Sequence, residues 1–600
     1  MEIFKTRNGV SVRAYQGDAI TLLAFDVKPV LTTGLAGFTI SYKCKQTGTA
    51  DQFLYNRLTF SQDFMLKNAI PQNDKNSTLY SPIQKFNWVH IPNTDVATRK
   101  AIFGDYIYTV TPRYIINGIF QPINEDLSVT LEIPVKPYIE KNAIIAFTRG
   151  FVSSVAYATR FSRTNNSVRP KINDSLTFDI KQTAGSAKRW NSTKHRYEMV
   201  PYSFEEQHEW LGWQARSRVV EFLDEIINDK KLSLKVLAFD LDEPEICKRL
   251  LHLAQQNRLM MILDDSKSHT ESKAWETVFE SEFLKSGHAE MLKRGHFSAL
   301  AHCKIMIQMK GATPKKVLTG SANFSTNGLY VNSNHIIIFK NLKIGKLYSD
   351  LFDTSFGPEN MKNFKGSTCS ADDHNVLKTV TSPKMTVTFA PHKKEDAERI
   401  FSRISAVLEK DDTTDILFAV MNDRSAGSIL ASLRKQIANE NVFSYGITDT
   451  IGKNDADFGI FLYKPNSKKG IRVAAHGIEN NLPEPFGSVP GVDGYAIHHK
   501  FIVVNFKGKN PVVYCGSSNL AFGPEQKNGD NLLEISDKDV VTAFAIEALR
   551  LVDHFHWRNT GLKSTEPLAL DELRGNKKWS DSWLREGDLK CRQRQLYIRK

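Results

Sequence analysis

The sequence predicts an α/β protein made of two homologous α/β/α halves packed as a pseudo-dimer, preceded by an all-β sandwich. Three observations predict it. A polar pattern, His-x-Lys…Gly-Ser-x-Asn, occurs as His302, Lys304, Gly320, Ser321 and Asn323, and again as His498, Lys500, Gly516, Ser517 and Asn519, each member 196 positions after its counterpart. Strand–helix–strand alternation precedes both copies, the mark of a layered α/β domain. The first part of the chain reads instead as short strand-like runs.

Taken in order, residues 1–163 form the expected sandwich. Ala19–Val27 and Leu35–Tyr42 are strand-like runs separated by a Pro/Thr/Gly segment, and Asp105–Val110 and Ala143–Thr148 add two more. In Leu127–Ile133, Val129, Leu131 and Ile133 alternate with Ser128, Thr130 and Glu132, which is the period of a half-buried strand. Runs at this spacing favour an immunoglobulin- or fibronectin-type sandwich, although the Cys…Trp…Cys signature of antibody domains is absent. Residues 164–200, rich in Asn, Ser, Thr and Lys, read as a linker.

The first half spans 201–365, with a helix at Glu206–Ile227, a strand at Leu234–Phe239, a helix at Glu243–Gln256 and a strand at Leu259–Leu263. The crossover Ser355–Pro383 lacks sustained periodicity, and the linker proper is placed at 366–385. The second half, 386–560, repeats the alternation in Ile416–Val420, Gly427–Ala438 and Val442–Ile447, offset from the first by about 180, so insertions precede the motif. Residues 561–600 read as a basic, solvated tail whose last eleven residues carry five basic groups and no acid.

A chain of 600 residues exceeds one hydrophobic core, so several domains are expected. The net charge of +13 favours polyanionic partners. Six scattered cysteines without a CxxC pair argue against a zinc site or a disulfide framework and for a reducing compartment. No secretory signal and no apolar run of membrane-spanning length are visible, so the expected location is cytoplasmic.

In an extended strand His302 and Lys304 share one face, as do His498 and Lys500, with Cys303 and Ile305 packing behind the first pair. The turns Lys310–Pro314 and Lys507–Pro511 then lead into return strands that bring Gly-Ser-x-Asn back beside each His-x-Lys. Each half thus offers an imidazole, an ammonium, a hydroxyl and a carboxamide. Phosphodiester cleavage needs a nucleophile, an acid for the leaving alkoxide and fixed positive charge around the phosphoryl oxygens. Two imidazoles fill the first two roles and two lysines the third, with no metal or cofactor expected.

These residues resemble the phospholipase D superfamily, whose pattern is HxKxxxxD followed by GSxN, twice per site; the resemblance covers roughly residues 200–560. It implies a covalent phosphohistidine on His302, general acid catalysis by His498, and phosphoryl binding by Lys304, Lys500, Asn323 and Asn519. Ser321, Ser517, Gly320, Gly516, Asn505 and Asp530 are expected to support the phosphate. The expected activity is a metal-independent nuclease acting on DNA or RNA. The alternatives are a phospholipase D acting on phospholipid and a degenerate phosphate-binding module, with a protein partner for the β domain. The pattern departs from the family at the aspartate, where Met309 and Asn505 stand, and at the later acidic position, Asn334 in one copy and Asp530 in the other. Loss of that aspartate is expected to leave His302 less basic and less firmly oriented. The form without it is similar to tyrosyl-DNA phosphodiesterase. Cys303 and Cys515 are expected to pack, the Asp553–Arg558 cluster to end a helix, and His476 and Glu479 have no assigned role.

Overall fold

The computed structural model describes residues 1–48, 50–95, 100–140, 143–150, 155–161, 167–191, 194–449, 471–474, 497–559, 568–576 and 578–599. The N-terminal domain is a two-sheet sandwich. One antiparallel sheet runs in the order β1 (Glu2–Arg7), β2 (Val10–Gln16), β3 (Thr21–Val27) and β6 (Asn87–His90). The other runs β5 (Gln52–Phe53), β4 (Leu35–Cys44), β7 (Gly104–Ile116) and β9 (Val129–Val135), with β8 (Ile119–Phe120) turning back on β7. Pairing of β3 with β6 in one layer, and of β4, β7 and β9 in the other, is the strand order of an immunoglobulin-type sandwich. The alternation read in the sequence is real: Val129, Leu131, Ile133 and Val135 are buried while Thr130 and Glu132 face solvent.

The two halves have the same sheet. In the first, the order is β10 (Ile144–Phe147), β18 (His335–Phe339), β17 (Thr313–Gly320), β16 (Ile305–Lys310), β13 (Leu232–Ala238), β14 (Leu259–Leu263) and β15 (Leu292–Arg294). In the second it is β20 (Met385–Ala390), β26 (Asp530–Ile535), β25 (Val512–Gly516), β24 (Lys500–Val504), β21 (Asp415–Val420), β22 (Phe443–Thr448) and β23 (Ile471–Ala474), with β19 (His374–Val376) added outside β20. In both, the last three strands in that order are mutually parallel and the remaining neighbours pair antiparallel in matching positions. Both sheets feed one continuous core, in which Ile305, Ile337 and Phe339 meet Phe389, Phe501 and Leu533.

Three expectations change. Ala143–Thr148 was expected in the sandwich, but Ile144–Phe147 is β10, paired antiparallel with β18 from Ile144↔Ile338 to Phe147↔His335. All four of its residues are buried, so both faces are covered and no alternation reveals which sheet receives it. Residues 164–200, read as a linker, include most of a two-stranded hairpin, β11 (Thr183–Asn191) and β12 (Arg196–Ser203). The C-terminal residues, read as a solvated tail, fold into helices Asp581–Leu584 and Leu589–Ile598, with Trp583 and Tyr597 buried. Two of their basic groups are engaged with the rest of the molecule. Arg594 pairs with the Asp26 carboxylate of β3, and Arg592 donates to the Glu440 carbonyl at 2.6 Å. The Tyr15 hydroxyl donates to the Tyr597 carbonyl, so this helix ties the sandwich to the second half. The crossover also holds short helices, Pro358–Lys362 and Thr368–Ala371, besides β19. All six cysteines are buried and unpaired.

Candidate active site

Each His-x-Lys run enters its sheet at the edge where the two neighbouring parallel strands end. Asp264, just past β14, accepts the Ala301 N–H at 2.6 Å, and Asp449, just past β22, accepts the Ile497 N–H at 2.8 Å. A buried carboxylate therefore grips the residue before each histidine. Lys304 donates to the His302 carbonyl, with its ammonium 5.1 Å from the centre of the Phe239 ring. Lys500 donates to the His498 carbonyl at 2.7 Å and lies 3.0 Å from the Met421 sulfur. Phe239 and Met421 occupy matching places, each the first residue after its strand. Cys303 and Cys515 are fully buried packing residues.

The two histidines are oriented by residues of the opposite half. His302 Nδ1 lies 2.7 Å from Asp530 Oδ1, which also accepts from the Ser517 hydroxyl at 2.8 Å. His498 Nδ1 lies 2.9 Å from Asn334 Oδ1, which accepts from the Ser321 hydroxyl at 2.8 Å. The Asn334 amide nitrogen donates to the Gly328 carbonyl at 2.8 Å, so its oxygen faces His498 as an acceptor. Both imidazoles then carry hydrogen on Nδ1 and leave Nε2 for chemistry. The two histidines are related by an approximate two-fold but differ in partner: His302 faces a carboxylate and His498 a neutral amide.

That difference sets the electrostatics. Burial holds His302 below the usual imidazole value, with Asp530 opposing the drop. Burial pushes His498 far lower, reinforced by Lys500, Lys304 and His302 and opposed by the Ser321 carbonyl. Burial brings Lys304 down to about 8 despite Asp530 and Asp240, and takes Lys500 well below its ordinary value, helped by Lys304. The site is a buried concentration of positive charge, which an anion would neutralise.

Other expected support residues have different work. Gly320 and Gly516 do not form an anion nest, because the following Ser321 and Ser517 N–H groups donate to His335 and Asn531 carbonyls at 3.0 and 3.1 Å. Glycine is required by φ values of +150° and +138° and by close strands: a Cβ would lie 2.3 Å from His335 O and 2.4 Å from Asn531 O. Gly320→Ala is expected to cost about 2–4 kcal/mol of stability, read as a lowered melting temperature. Ser321 and Ser517 donate to Asn334 Oδ1 and Asp530 Oδ1, each at 2.8 Å. Asn505 lies past the far end of β24, about 16 Å along the chain from Lys500, where its side-chain oxygen accepts the Thr414 N–H at 2.8 Å. Met309 is buried at the equivalent end of β16. The substituted aspartate positions therefore do not orient the histidines, contrary to the expectation for His302; Asp530 does. Asn323 and Asn519 each leave a carboxamide oxygen buried without a partner. His476 and Glu479, and the side chains of His556, Trp557 and Arg558, lie outside the described residues, while Asp553 accepts from the Tyr445 hydroxyl at 3.2 Å.

A cluster that the sequence did not single out adjoins Asn323. The Asn323 amide donates to Asp240 Oδ2, and Asp240 Oδ1 lies 3.0 Å from His269 Nε2. His269 Nδ1 lies 2.9 Å from Asp264, the carboxylate that grips Ala301. One imidazole thus joins the Asn323 side of the half-site to the His302 side. Asp240, His269 and Glu276 present donor atoms within 4.8 Å of one another. Burial disfavours charge on His269, but hydrogen bonds to Asp240 and Asp264 outweigh it and raise its pKa to about 9. Its raised folded value makes its contribution full below the unfolded value of 6.5 and lost as pH climbs through about 9. The melting temperature should therefore fall between pH 7 and 10, and His269→Gln should flatten that part of the curve. The only signal in the sequence was that Asp240 follows a strand leading to the motif edge.

Residues 223–355 match the family model described as the phospholipase D-like domain of cardiolipin synthase. No curated protein sequence matches the chain. Among solved structures, the chain is similar to polyphosphate kinase from Porphyromonas gingivalis, at 14% identity and a TM-score of 0.38, over 59% of this chain and 51% of that one. It is similar to Nuc, a phospholipase D family member from Salmonella typhimurium, at 20% identity and a TM-score of 0.19, over 23% of this chain and 84% of that one. It is also similar to yeast tyrosyl-DNA phosphodiesterase, at 10% identity and a TM-score of 0.30, over 53% of this chain and 86% of that one. The chain spans about half the length of the polyphosphate kinase.

Proposed function

For a chain that carries a phospholipase D-like domain, we propose a phosphodiesterase that works through a phosphohistidine on His302, with nucleic acid as substrate. The observation that carries the proposal is the crossed pairing, His302 to Asp530 and His498 to Asn334. Asp530 keeps the His302 proton on Nδ1, directs the Nε2 lone pair outward, and supplies a counter-charge once Nε2 bonds to phosphorus. The P–O bond to the leaving group breaks as His498 Nε2–H gives that oxygen its proton. Neutral His498 then takes a proton from water, the water oxygen attacks phosphorus, and the P–N bond breaks to restore both imidazoles.

His498 must be protonated at the outset, yet burial and the lysines oppose this. A bound phosphodiester anion removes part of that opposition, so substrate raises the acid's own pKa. Lys304, Lys500, Asn323 and Asn519 surround the non-bridging oxygens and supply the charge that a metal supplies elsewhere. Asp240 acts as a positioning residue that turns the Asn323 amide. Asp240→Asn is expected to lower kcat about ten-fold with little change in KM, as checked by steady-state kinetics.

Nucleic acid is favoured as substrate by the net charge of +13, because phosphate contacts dominate nucleic-acid affinity. No helix among the described residues is long and apolar enough to cross a membrane. The test is turnover in EDTA of bis(4-nitrophenyl) phosphate, single-stranded DNA, duplex DNA, RNA and phospholipid vesicles. Hydrolysis of lipid alone would overturn the nuclease reading, and turnover of nothing would leave a phosphate-binding module.

A further inference from the structure

We propose that the β11–β12 hairpin is a capture arm for single-stranded nucleic acid. The hairpin is an isolated two-stranded sheet, with one side docked and the other open. On the docked side Ala187 is buried in the core of the first half, and Arg189 donates to Glu206 at 2.7 Å at the start of the Phe204–Asn228 helix. On the open side Lys188 pairs across the strands with Met199, and Trp190 with Tyr197. Trp190, Tyr197 and Met199 are 54%, 60% and 65% exposed. Three large apolar side chains in one register on an exposed ribbon call for a ligand.

The chemistry of that face selects the ligand. The Trp190 and Tyr197 rings meet at 5.2 Å with an interplanar angle of 67°, which leaves ring faces for stacking. Lys188 lies 5.5 Å from the Tyr197 ring centre, and Lys194, His195 and Arg196 are exposed at the tip. Between Thr183 and Ser203 there are four Lys or Arg residues against one carboxylate, Glu198, which pairs with Lys194 and Arg196. Stacking surfaces interleaved with cations suit bases joined by phosphates. A membrane surface fits less well, because insertion would carry the charged Lys194–Arg196 tip into the bilayer.

Arg169, in the segment leading to β11, donates to the Asp242 carbonyl at 2.7 Å, and Asp242 lies just beyond the site residue Asp240. Any delivery of a strand from the arm to His302 is part of the same proposal. The use of the captured strand rests on the phosphodiesterase reading; the surface itself does not.

The test uses the full chain with His302→Ala to prevent cleavage, and a fluorescein-labelled oligothymidylate read by anisotropy. Trp190→Ala/Tyr197→Ala is expected to weaken binding about ten-fold or more. Lys188→Ala/Arg196→Ala is expected to reduce the slope of log affinity against log salt by about 1.4, at about 0.7 per phosphate contact. With His302 intact, Trp190→Ala/Tyr197→Ala should hydrolyse bis(4-nitrophenyl) phosphate at the unsubstituted rate, which a folding defect would not allow. Unchanged oligonucleotide affinity overturns the proposal. So does a selective loss of binding to phosphatidylglycerol vesicles, which would assign the arm to membranes. Ring-dependent binding in a protein that hydrolyses no diester sustains the arm while the phosphodiesterase reading fails.

Discussion

Replacing His302 by alanine is expected to lower turnover of bis(4-nitrophenyl) phosphate by about 10⁴-fold or more, because the covalent route is lost outright. The substitution removes a buried ring whose Nδ1 is held by Asp530 and whose edge packs against Phe239, 5.0 Å between centroids. A stability change is therefore expected too, and circular dichroism must accompany the kinetics. The decisive readout is phosphate trapped in acid-labile form on the unsubstituted chain and absent from His302→Ala. In His498→Ala the first bond still forms when the leaving group is 4-nitrophenolate, which needs no proton. The intermediate should then accumulate, because the water lacks its base. Full activity in either alanine variant would sink the two-histidine mechanism.

The second large effect tests the unequal partners. Asp530→Asn keeps the hydrogen bond to His302 and removes its charge. Turnover is expected to fall about 10²–10³-fold, because the cationic phosphohistidine loses its counter-ion. The alkaline limb of the kcat/KM profile, set by His302 as the higher of the two imidazole pKa values, should move to lower pH because a carboxylate no longer raises it. Asn334→Asp works in the other direction. A carboxylate beside His498 raises its pKa, so the acidic limb, set by the lower of the two imidazole values, should move to higher pH. If Asp530→Asn left both limbs where they were, the coupling of the Asp530 charge to His302 would fail.

Repetition made the repeated parts of the molecule legible. His302 and His498, with their lysines and Gly-Ser-x-Asn segments, were visible because the polar pattern returned in register. The β13 to β14 and β21 to β22 units were visible because strands and helices alternate. What escaped depends on contacts distant in sequence. Asn334 and Asp530 could be aligned with each other, but their reach into the opposite half is a property of packing. The four buried residues of β10 suit any interior sheet. Asp240 and His269 sit in no repeated motif, since Asn422 holds the place equivalent to Asp240. The arm was hidden by its polarity, as strands that project into solvent lack the apolar alternation that marks a core-facing strand.

The crossed pairing has a consequence for how such a site can diverge. Were the two halves identical subunits, any residue at the Asn334 and Asp530 places would be the same on both sides, and both imidazoles would share one environment. A swap of one residue would then act twice. Here one polypeptide encodes both copies, so selection acts on each separately. One histidine has been given an anionic neighbour and the other a neutral one without disturbing the symmetric scaffold. Fusion turns a symmetric site into a directional one, whose two sides are chemically distinguishable.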